Sequence, residues 1–447
     1  MGTEDQTTHN GEPTLWVAVV GAGPAGYYTA EALAKQRDDI HIDILDRLPT
    51  PFGLIRGGVA PDHQSIKNVY RRYEKTNLAD NVRFVGNISI GTDVGLDTLL
   101  ELYDAVVLAT GAPDDRALSI PGEDTAGVIG SAAFVGWYNS HPDFIDLDPD
   151  LDITAAAVIG NGNVAIDVAR VLAKTPAEMA SSDLARHAAQ RIHASPIRDI
   201  YMFGRRGPVE ASFTPKELGE LGELERCVPL VDAAQLPNIG NGADVAPVVR
   251  KNLAILERFA DNRPDDKPVR MHLMFYSRPT EVLGDERVTG LEMEHTRVED
   301  GRCVGTGETF RVDCGMVVPC IGYRSHPIEG VAFDQGRGRF VNDDGLIADR
   351  LYCVGWAKRG PTGTIGTNKP DGADVAQRVL DEVRPAGRQG RAGLEALVVD
   401  KALSIVTFRD WKRIEAAEIA AAQGDAPRAK FTRIEDMLKT AHSDTES

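Results

Sequence analysis

Two glycine-rich turns are the features of the sequence with the clearest chemistry. The first is Gly21-Ala22-Gly23-Pro24-Ala25-Gly26, and the second is Gly160-Asn161-Gly162-Asn163-Val164-Ala165. Glycines at this spacing let a backbone turn sharply and approach a pyrophosphate, while the helix that follows offers unpaired N–H groups and a partial positive charge. The two turns therefore predict two dinucleotide sites in one chain.

The residues that follow each turn distinguish the two nucleotides. Asp46 stands 20 positions after Gly26, and Arg205 and Arg206 stand at the corresponding place of the second unit. A carboxylate there accepts hydrogen bonds from ribose hydroxyls, whereas two guanidinium groups bind a 2′-phosphate through charge-assisted pairs. The first site therefore suits FAD and the second suits NADP(H). The alternative interpretation of the arginines is an exposed pair in a loop.

Apolar segments that predict β-strands precede both glycine turns and the charged residues that follow them. Leu15–Val20 and Ala155–Ile159 precede the turns, residues 40–45 precede Asp46, and Asp199–Phe203 precedes the arginine pair. Apolar runs that end before a glycine-rich turn are typical of strands in a parallel sheet. We therefore expect an α/β fold with two Rossmann-like dinucleotide-binding domains, in which the NADPH domain is inserted in the FAD domain.

Two further apolar runs, residues 103–112 and 316–323, break at glycine and predict where the chain crosses between domains. The expected division of the chain is a disordered N-terminus at 1–13, a first FAD part at 14–112, an NADP domain at 113–329, a second FAD part at 330–385 and a C-terminal helical extension at 386–447. The extension is expected to pack on the FAD domain, with one amphipathic helix over residues 394–422.

The returning segment contains a second concentration of glycines. Trp356 follows an apolar run, and Gly360, Gly363 and Gly366 follow it. Such a turn can bring backbone N–H groups against the edge of a flavin ring. Trp356 can stack at that ring or fill the protein core.

Four motifs in order make the chain resemble the adrenodoxin-reductase-like NADPH–ferredoxin reductases, including their actinobacterial members. The motifs are PTPFGLIR with GGVAPDH at 49–63, VIGNGNVA at 158–165, GRRGP at 204–208, and GW at 355–356 with GTI at 363–365. The similarity extends over roughly residues 14–440. It implies that hydride passes from NADPH to FAD and that single electrons then pass to a ferredoxin-type iron–sulfur protein.

The resemblance also implies which residues bind the cofactors. In addition to Gly21, Gly23 and Gly26, the residues expected to contact FAD are Ala25, Asp46, Leu54, Ile88, Trp356, Gly363, Thr364 and Ile365. Those expected to contact NADPH are Asn161, Gly162, Asn163, Val164, Arg205, Arg206, Glu217 and Gly363.

His63 and Glu217 are the candidates for shaping the reaction site, because both side chains can exchange protons or orient an amide. A structural histidine that closes a loop is the alternative interpretation of His63. The chain departs from the family pattern at Gln64, where proline is common, and at Glu210, which occupies a Gln position after the arginine pair. The negative charge of Glu210 near a 2′-phosphate could weaken NADPH binding or leave some use of NADH.

Composition and charge exclude several classes of protein. With 42% hydrophobic and 26% charged residues, the 447-residue chain has the composition of a globular protein. A net charge of −18 argues against nucleic-acid binding, which needs clustered Lys and Arg. No run reaches the roughly 20 apolar residues that span a bilayer. The five cysteines include no C-x-x-C pair and no metal-ligand spacing. We expect a cytoplasmic monomer without a metal site.

An acidic ferredoxin would need a local basic patch on this acidic protein. Arg250, Lys251 and Arg258 lie on a predicted helix over residues 248–260 and could form it, or they could be an ordinary solvated helix face. Two other functions stay open. The same cofactors could reduce quinones or other small acceptors, as in a diaphorase, or the chain could be a nucleotide-binding redox sensor without turnover.

Overall fold

The computed structural model describes residues 8–9, 12–37, 39–237 and 245–443. The segment predicted to be disordered, residues 1–13, lies outside the described residues apart from two short paired strands, Thr8–His9 and Glu12–Pro13. No helix in the described part of the chain combines the length and the apolar character needed to cross a bilayer.

The first large sheet surrounds the strand that precedes the first glycine turn. Its seven strands, in spatial order, are Leu346–Ala348, Leu351–Cys353, Ala105–Leu108, Leu15–Val20, Ile40–Asp46, Val82–Gly86 and Val406–Thr407. The five inner strands are parallel, and the two edge strands run antiparallel to their neighbours. Every residue of Leu15–Val20 is buried, as expected for a parallel strand that is covered on both faces.

Helices cover both faces of this sheet. Alternate residues of the central strand enter different cores: Leu15, Val17 and Val19 pack into one, and Trp16 and Val20 into the other. The helices of this part are Pro24–Ala34, Leu54–Gly57, Gln64–Lys67, Tyr70–Asn77, Leu96–Leu102, Trp356–Arg359, Asn368–Glu382, Arg391–Asp400, Phe408–Ala420 and Ile434–Ala441.

The second large sheet has five parallel strands, all between residues 155 and 319. Their spatial order is Cys227–Val231, Val269–Met274, Asp199–Phe203, Ala155–Ile159 and Met316–Pro319. The helices around it are Ser131–Tyr138, Asn163–Ala173, Arg186–Ala194, Pro215–Glu220 and Pro247–Ala260. An antiparallel sheet, Ser277–Leu283, Gly290–Glu299 and Arg302–Asp313, packs against the other face.

The two chain segments that connect the sheets lie side by side. Asp114–Asp115 pairs with Tyr323–Arg324 as a short antiparallel ribbon. Both crossings between the sheets therefore occur at one place, close to the glycine breaks at residues 111 and 322. The division of the chain into domains stays a prediction.

The C-terminal region differs from the single helix predicted over residues 394–422. Arg391–Asp400 ends before Ala402, which has a φ of +49°, and Val406–Thr407 joins the edge of the first sheet. A new helix, Phe408–Ala420, then begins with a capping box formed by Thr407 and Asp410. The Ala-rich composition did not reveal this interruption, because strand addition at a sheet edge depends on a distant partner.

Candidate active site

The three glycines of the first turn have different surroundings: two face protein backbone and one faces open space. A Cβ at Gly21 would clash with the carbonyl oxygen of Ala109, and a Cβ at Gly26 would clash with the carbonyl oxygen of Gly21. By contrast, a Cβ at Gly23 would meet no atom within 4 Å. The chain's own packing therefore requires the first and third glycines, whereas the second leaves an open cradle of the kind that accommodates a pyrophosphate in dinucleotide sites.

Asp46 lies beside this turn at the end of its strand. One carboxylate oxygen accepts a hydrogen bond from the Ala22 N–H at 2.8 Å, and the other accepts one from the Leu48 N–H at 2.9 Å. Burial raises the pKa of Asp46, although both N–H donors oppose the shift. Each oxygen keeps a second lone pair, so the carboxylate can also accept from a ribose hydroxyl.

The returning segment packs directly against the first turn. Gly355 has a φ of +70°, and a Cβ there would lie 2.5 Å from the Cβ of Ala25. Its N–H donates to a carboxylate oxygen of Asp371 at 2.7 Å. Gly363 also has a positive φ, +85°, in the exposed turn that follows. Because both positions favour glycine, this turn can lie close to the first glycine turn.

Trp356, Thr364 and Ile365 line the open side of the returning segment. The Trp356 indole N–H donates to the Thr362 carbonyl oxygen at 3.1 Å, and its ring centroid is 6.1 Å from that of Tyr323. Trp356 and Ile365 are half-buried and Thr364 is exposed. The indole therefore lies partly at the protein surface, where a planar group can contact it, and not in the interior.

Leu54 and Ile88 have different environments. The Leu54 side chain is 42% exposed, which is unusual for a large apolar group, and the adjoining Gly53 packs against Gly23. Ile88 is 1% exposed and belongs to the core, and its N–H donates to the Asp46 carbonyl oxygen at 2.9 Å. Leu54 can therefore cover a ligand with its side chain, whereas Ile88 can reach one only through its backbone carbonyl.

The second glycine turn is fixed by contacts with other segments of the chain. Gly160 has a φ of +148°, and a Cβ there would clash with the Cys320 carbonyl oxygen. The Asn163 side-chain oxygen accepts from the Thr214 N–H at 2.9 Å, and the Asn161 carbonyl oxygen accepts from the Ser212 N–H at 2.8 Å. Gly162 is the N-cap of the helix Asn163–Ala173, and Val164 lies in its first turn. The turn is thus joined to the segment that leads to Glu217.

The arginine pair has a fixed backbone. The Arg205 carbonyl oxygen accepts from the Thr296 hydroxyl at 2.9 Å, and the Arg206 carbonyl oxygen accepts from the Tyr276 N–H at 3.2 Å. Arg205 is exposed and Arg206 is half-buried, and no described carboxylate forms an ion pair with either guanidinium. Both side chains therefore keep their donors for an anion. Burial and then the charge of Glu210 raise the pKa of Tyr276.

His63 contacts the second half of the molecule through Glu220 and not through Glu217. Its Nε2 lies 2.8 Å from a Glu220 carboxylate oxygen and 2.9 Å from Nη2 of Arg170. Glu217, on the same short helix, has its N–H capped by the Thr214 hydroxyl, and its Oε2 is buried without a hydrogen-bond partner. That free acceptor fits a ligand donor such as a hydroxyl or an amide.

Arg170 holds this junction together. Its buried guanidinium forms ion pairs with Asp62 and with Asp167, the second at 2.9 Å. Burial alone would raise the pKa of Asp62, but the charges of Arg170 and Lys174 outweigh it and the pKa is lowered. The pKa of Glu220 is lowered as well, because the hydrogen bond from His63 and the charge of Arg170 outweigh burial.

A polar cavity of about 320 Å³ opens beside this junction, and His63, Arg170 and Glu220 are among its lining residues. Sequence reasoning missed Glu220, Arg170 and Asp167. The only available signal was spacing, because Glu220 follows Glu217 by three positions and Arg170 follows Asp167 by three, so each pair shares a helix face.

Comparison with known proteins shows which family the chain belongs to. Residues 16–202 match the family described as pyridine nucleotide-disulphide oxidoreductase. The chain is 38% identical over 453 residues to the human mitochondrial NADPH:adrenodoxin oxidoreductase, covering 96% of this chain and 92% of the human one. It is 38% identical over 450 residues to the Mycobacterium tuberculosis NADPH-ferredoxin reductase FprA, covering 95% of this chain and 98% of that protein.

A solved structure gives the same result in three dimensions. The Mycobacterium tuberculosis FprA in complex with NADPH superimposes with a TM-score of 0.92 at 37% identity, covering 96% of this chain and 100% of that one. Identity at this level over nearly the full length of both chains, with one shared fold, is well beyond similarity of a single motif. The chain therefore belongs to the family of the NADPH:adrenodoxin oxidoreductases and the NADPH-ferredoxin reductases.

Proposed function

We propose that this protein is an FAD-dependent NADPH–ferredoxin oxidoreductase, in which hydride passes from NADPH to FAD and single electrons then pass to a ferredoxin-type iron–sulfur protein. The observation that carries the proposal is the pair of glycine turns, the first followed by a strand that ends at Asp46 and the second by a strand that leads to Arg205 and Arg206. The chain that contains them is 38% identical to enzymes named for this reaction. When bound, FAD supplies the step that matches a two-electron donor to a one-electron acceptor.

The residues around the first turn are proposed to bind FAD. The open cradle at Gly23 takes the pyrophosphate, Asp46 accepts from ribose, and the exposed Leu54 side chain and the Trp356 indole cover the rings. Gly21, Gly26 and Ala25 shape the turn, and the backbones of Ile88, Gly363, Thr364 and Ile365 would contact the bound cofactor.

The residues around the second turn are proposed to bind NADPH. Gly162, Asn163 and Val164 present the helix N-terminus to the pyrophosphate, with Asn161 beside them. Arg205 and Arg206 bind the 2′-phosphate with guanidinium groups that no described carboxylate occupies. The buried free oxygen of Glu217 accepts from the nicotinamide half of the ligand.

His63 and Glu220 are proposed to keep the two nucleotide sites in register. Hydride transfer requires the two reacting rings at van der Waals distance, so the protein's contribution is orientation and exclusion of competing water. The His63 Nε2 contacts Glu220 across the junction, and the Arg170 guanidinium contacts both side chains. Together with Glu217, His63 remains the proposed residue for proton exchange at the site.

The acceptor is proposed to bind near the helix Pro247–Ala260. Arg250, Lys251 and Arg258 are exposed on this helix, and they offer positive charge to an acidic ferredoxin in a protein whose net charge is −18. The domain boundaries at residues 112, 329 and 385, the monomeric state and the cytoplasmic location stay predictions.

Two observations on purified protein test the proposal. The protein must be yellow, and anaerobic NADPH must bleach it in a stopped-flow instrument before an added [2Fe–2S] ferredoxin restores the colour. Bleaching followed by reoxidation with a quinone but not with ferredoxins would favour the diaphorase alternative. A colourless protein, or one that NADPH does not bleach, would favour a nucleotide sensor and contradict the proposed reaction.

A further inference from the structure

We propose that Lys430 is a positioning residue for hydride transfer, which fixes the chain segment carrying His63 through Asp183; this inference rests on the proposed function. Lys430 lies between the helices Phe408–Ala420 and Ile434–Ala441, about 370 positions from the segment it controls. Its side chain is 1% exposed.

The Lys430 ammonium group joins three separate parts of the chain. Its Nζ lies 3.0 Å from a carboxylate oxygen of Asp183, donates to the Arg56 carbonyl oxygen at 2.9 Å and lies 3.3 Å from the Asn139 carbonyl oxygen. Arg56 belongs to the part around the first sheet. Asn139 and Asp183 adjoin helices that pack into the core of the second sheet. One buried lysine therefore links both halves to the C-terminal region, and burial lowers its pKa to about 7 although the charge of Asp183 opposes the shift.

Asp183 transmits this link to both ends of the segment 61–67. Its backbone N–H donates to the Pro61 carbonyl oxygen at 3.1 Å, and its second carboxylate oxygen accepts from the Lys67 ammonium group at 2.5 Å. His63 lies between these two anchors and begins the helix Gln64–Lys67. The position of the His63 imidazole relative to Glu220 thus depends on where Asp183 is held.

The charges around Lys430 make the arrangement specific. Lys67 and Lys430 share the single carboxylate of Asp183, while the neighbouring Arg56 is paired with Glu418. Without Lys430, the buried Asp183 carboxylate would keep Lys67 alone, and a buried charge that loses an ionic partner is destabilised in its present position. Removing Lys430 should therefore release Asp183 from its present position and shift the segment that carries His63, because Asp183 already contacts Lys67 and Pro61 of that segment.

A shift of this kind affects the reaction more than it affects binding of the nucleotide. The proposed NADPH contacts at Arg205, Arg206 and Glu217 lie on other segments, so affinity for NADPH should change little. The two bound rings would meet between the two halves of the molecule, and a displacement of about 1 Å there can cost on the order of 100-fold in rate. The expected signature is a lower rate constant with an unchanged dissociation constant.

The test compares three flavin-loaded variants with the wild type. Lys430→Met removes the cation, Asp183→Asn removes the shared charge while keeping the shape, and Lys439→Met makes the same chemical change at an exposed lysine of the same C-terminal region. Stopped-flow reduction at a series of NADPH concentrations gives the limiting rate constant and the dissociation constant. Amide hydrogen exchange of residues 60–70, with and without FAD, gives a readout independent of activity.

We expect the limiting rate per bound flavin to fall at least about fivefold in Lys430→Met and Asp183→Asn, with the dissociation constant for NADPH within about twofold of the wild type. Exchange of residues 60–70 should become faster in both variants, and Lys439→Met should match the wild type. If Lys430→Met does not fold, Asp183→Asn decides. A wild-type rate and unchanged exchange in Asp183→Asn would overturn the inference. A wild type that NADPH does not reduce would instead refute the proposed function, and hydrogen exchange would still test the link.

Discussion

The imidazole Nε2 of His63 lies 2.8 Å from a carboxylate oxygen of Glu220, a residue 157 positions later in the chain. His63 lies on the segment that follows the first glycine turn, and Glu220 lies on the helix that follows the arginine pair. This contact, supported by the buried Arg170, joins the segment after the first glycine turn to the helix after the arginine pair. It indicates that relative placement of the sites, and not a single residue, is what the fold provides for the reaction.

The second glycine of the first turn should be needed for flavin and not for folding. Gly23→Ala places a Cβ in open space, so the apoprotein should keep its melting temperature while its flavin content falls strongly. Gly26→Ala places a Cβ against the Gly21 carbonyl oxygen and should cost roughly 1–3 kcal/mol of stability. Flavin absorbance and thermal unfolding check both. Gly336→Ala is the matched control, because the nearest atom to a Cβ at Gly336 would lie at an ordinary contact distance. A Gly23→Ala protein that is loaded with flavin would contradict the assignment.

The arginine pair should determine the preference for NADPH over NADH. Each charge-assisted contact to a phosphate contributes about 1.5–3 kcal/mol, so Arg205→Ala and Arg206→Ala should each raise the KM for NADPH at least about tenfold. The KM for NADH, which lacks the 2′-phosphate, should stay nearly constant. Steady-state kinetics with both nucleotides measure this. Arg302→Ala, at an exposed position of another strand, should leave both values unchanged, and an unaltered ratio in the double variant would refute the assignment.

Glu220 should make stability depend on pH on the acidic side. Its folded-state pKa is lowered below 4.5, so its contribution is fully present above the unfolded-state pKa and is lost as the pH falls through the lower folded value. The wild type should therefore lose stability relative to Glu220→Gln between about pH 5 and pH 3. Urea unfolding of both proteins across this range checks the sign. A difference that stays constant with pH would show that the contact with His63 and Arg170 does not stabilise the charged carboxylate.

The exposed cations of the helix Pro247–Ala260 should act on the protein partner alone. Lys251→Glu should lower kcat/KM for an acidic ferredoxin about tenfold at low salt, and the difference should shrink at about 0.5 M salt because screening removes long-range attraction. Reduction of a small acceptor such as ferricyanide should be unaffected. Lys439→Glu makes the same charge change on another exposed helix and should leave both reactions at the wild-type rate. Equal effects of the two variants would assign this helix to an ordinary solvated face.

Local sequence was sufficient to identify the family and the fold. The G-x-G-x-x-G pattern, the acid that follows it and the arginine pair in the second unit are short motifs whose function depends on backbone shape and charge within about 30 residues. For the same reason the strands that precede both turns were predicted where the structure has them, at Leu15–Val20 and Ala155–Ile159. The resemblance to NADPH–ferredoxin reductases was confirmed at 37–38% identity.

Only the tertiary structure decided which distant residues meet. Sequence reasoning selected His63 and Glu217, whereas the fold brings His63 to Glu220, leaves the Glu217 oxygen free and places Lys430 beneath the same segment. These contacts join residues more than 100 positions apart. The spacing of residues in the sequence does not indicate whether Glu217 or Glu220, which share a helix face, contacts His63. The reason is physical: a motif fixes the path of a few residues, whereas an ion pair between separate segments depends on how whole sheets and helices pack together.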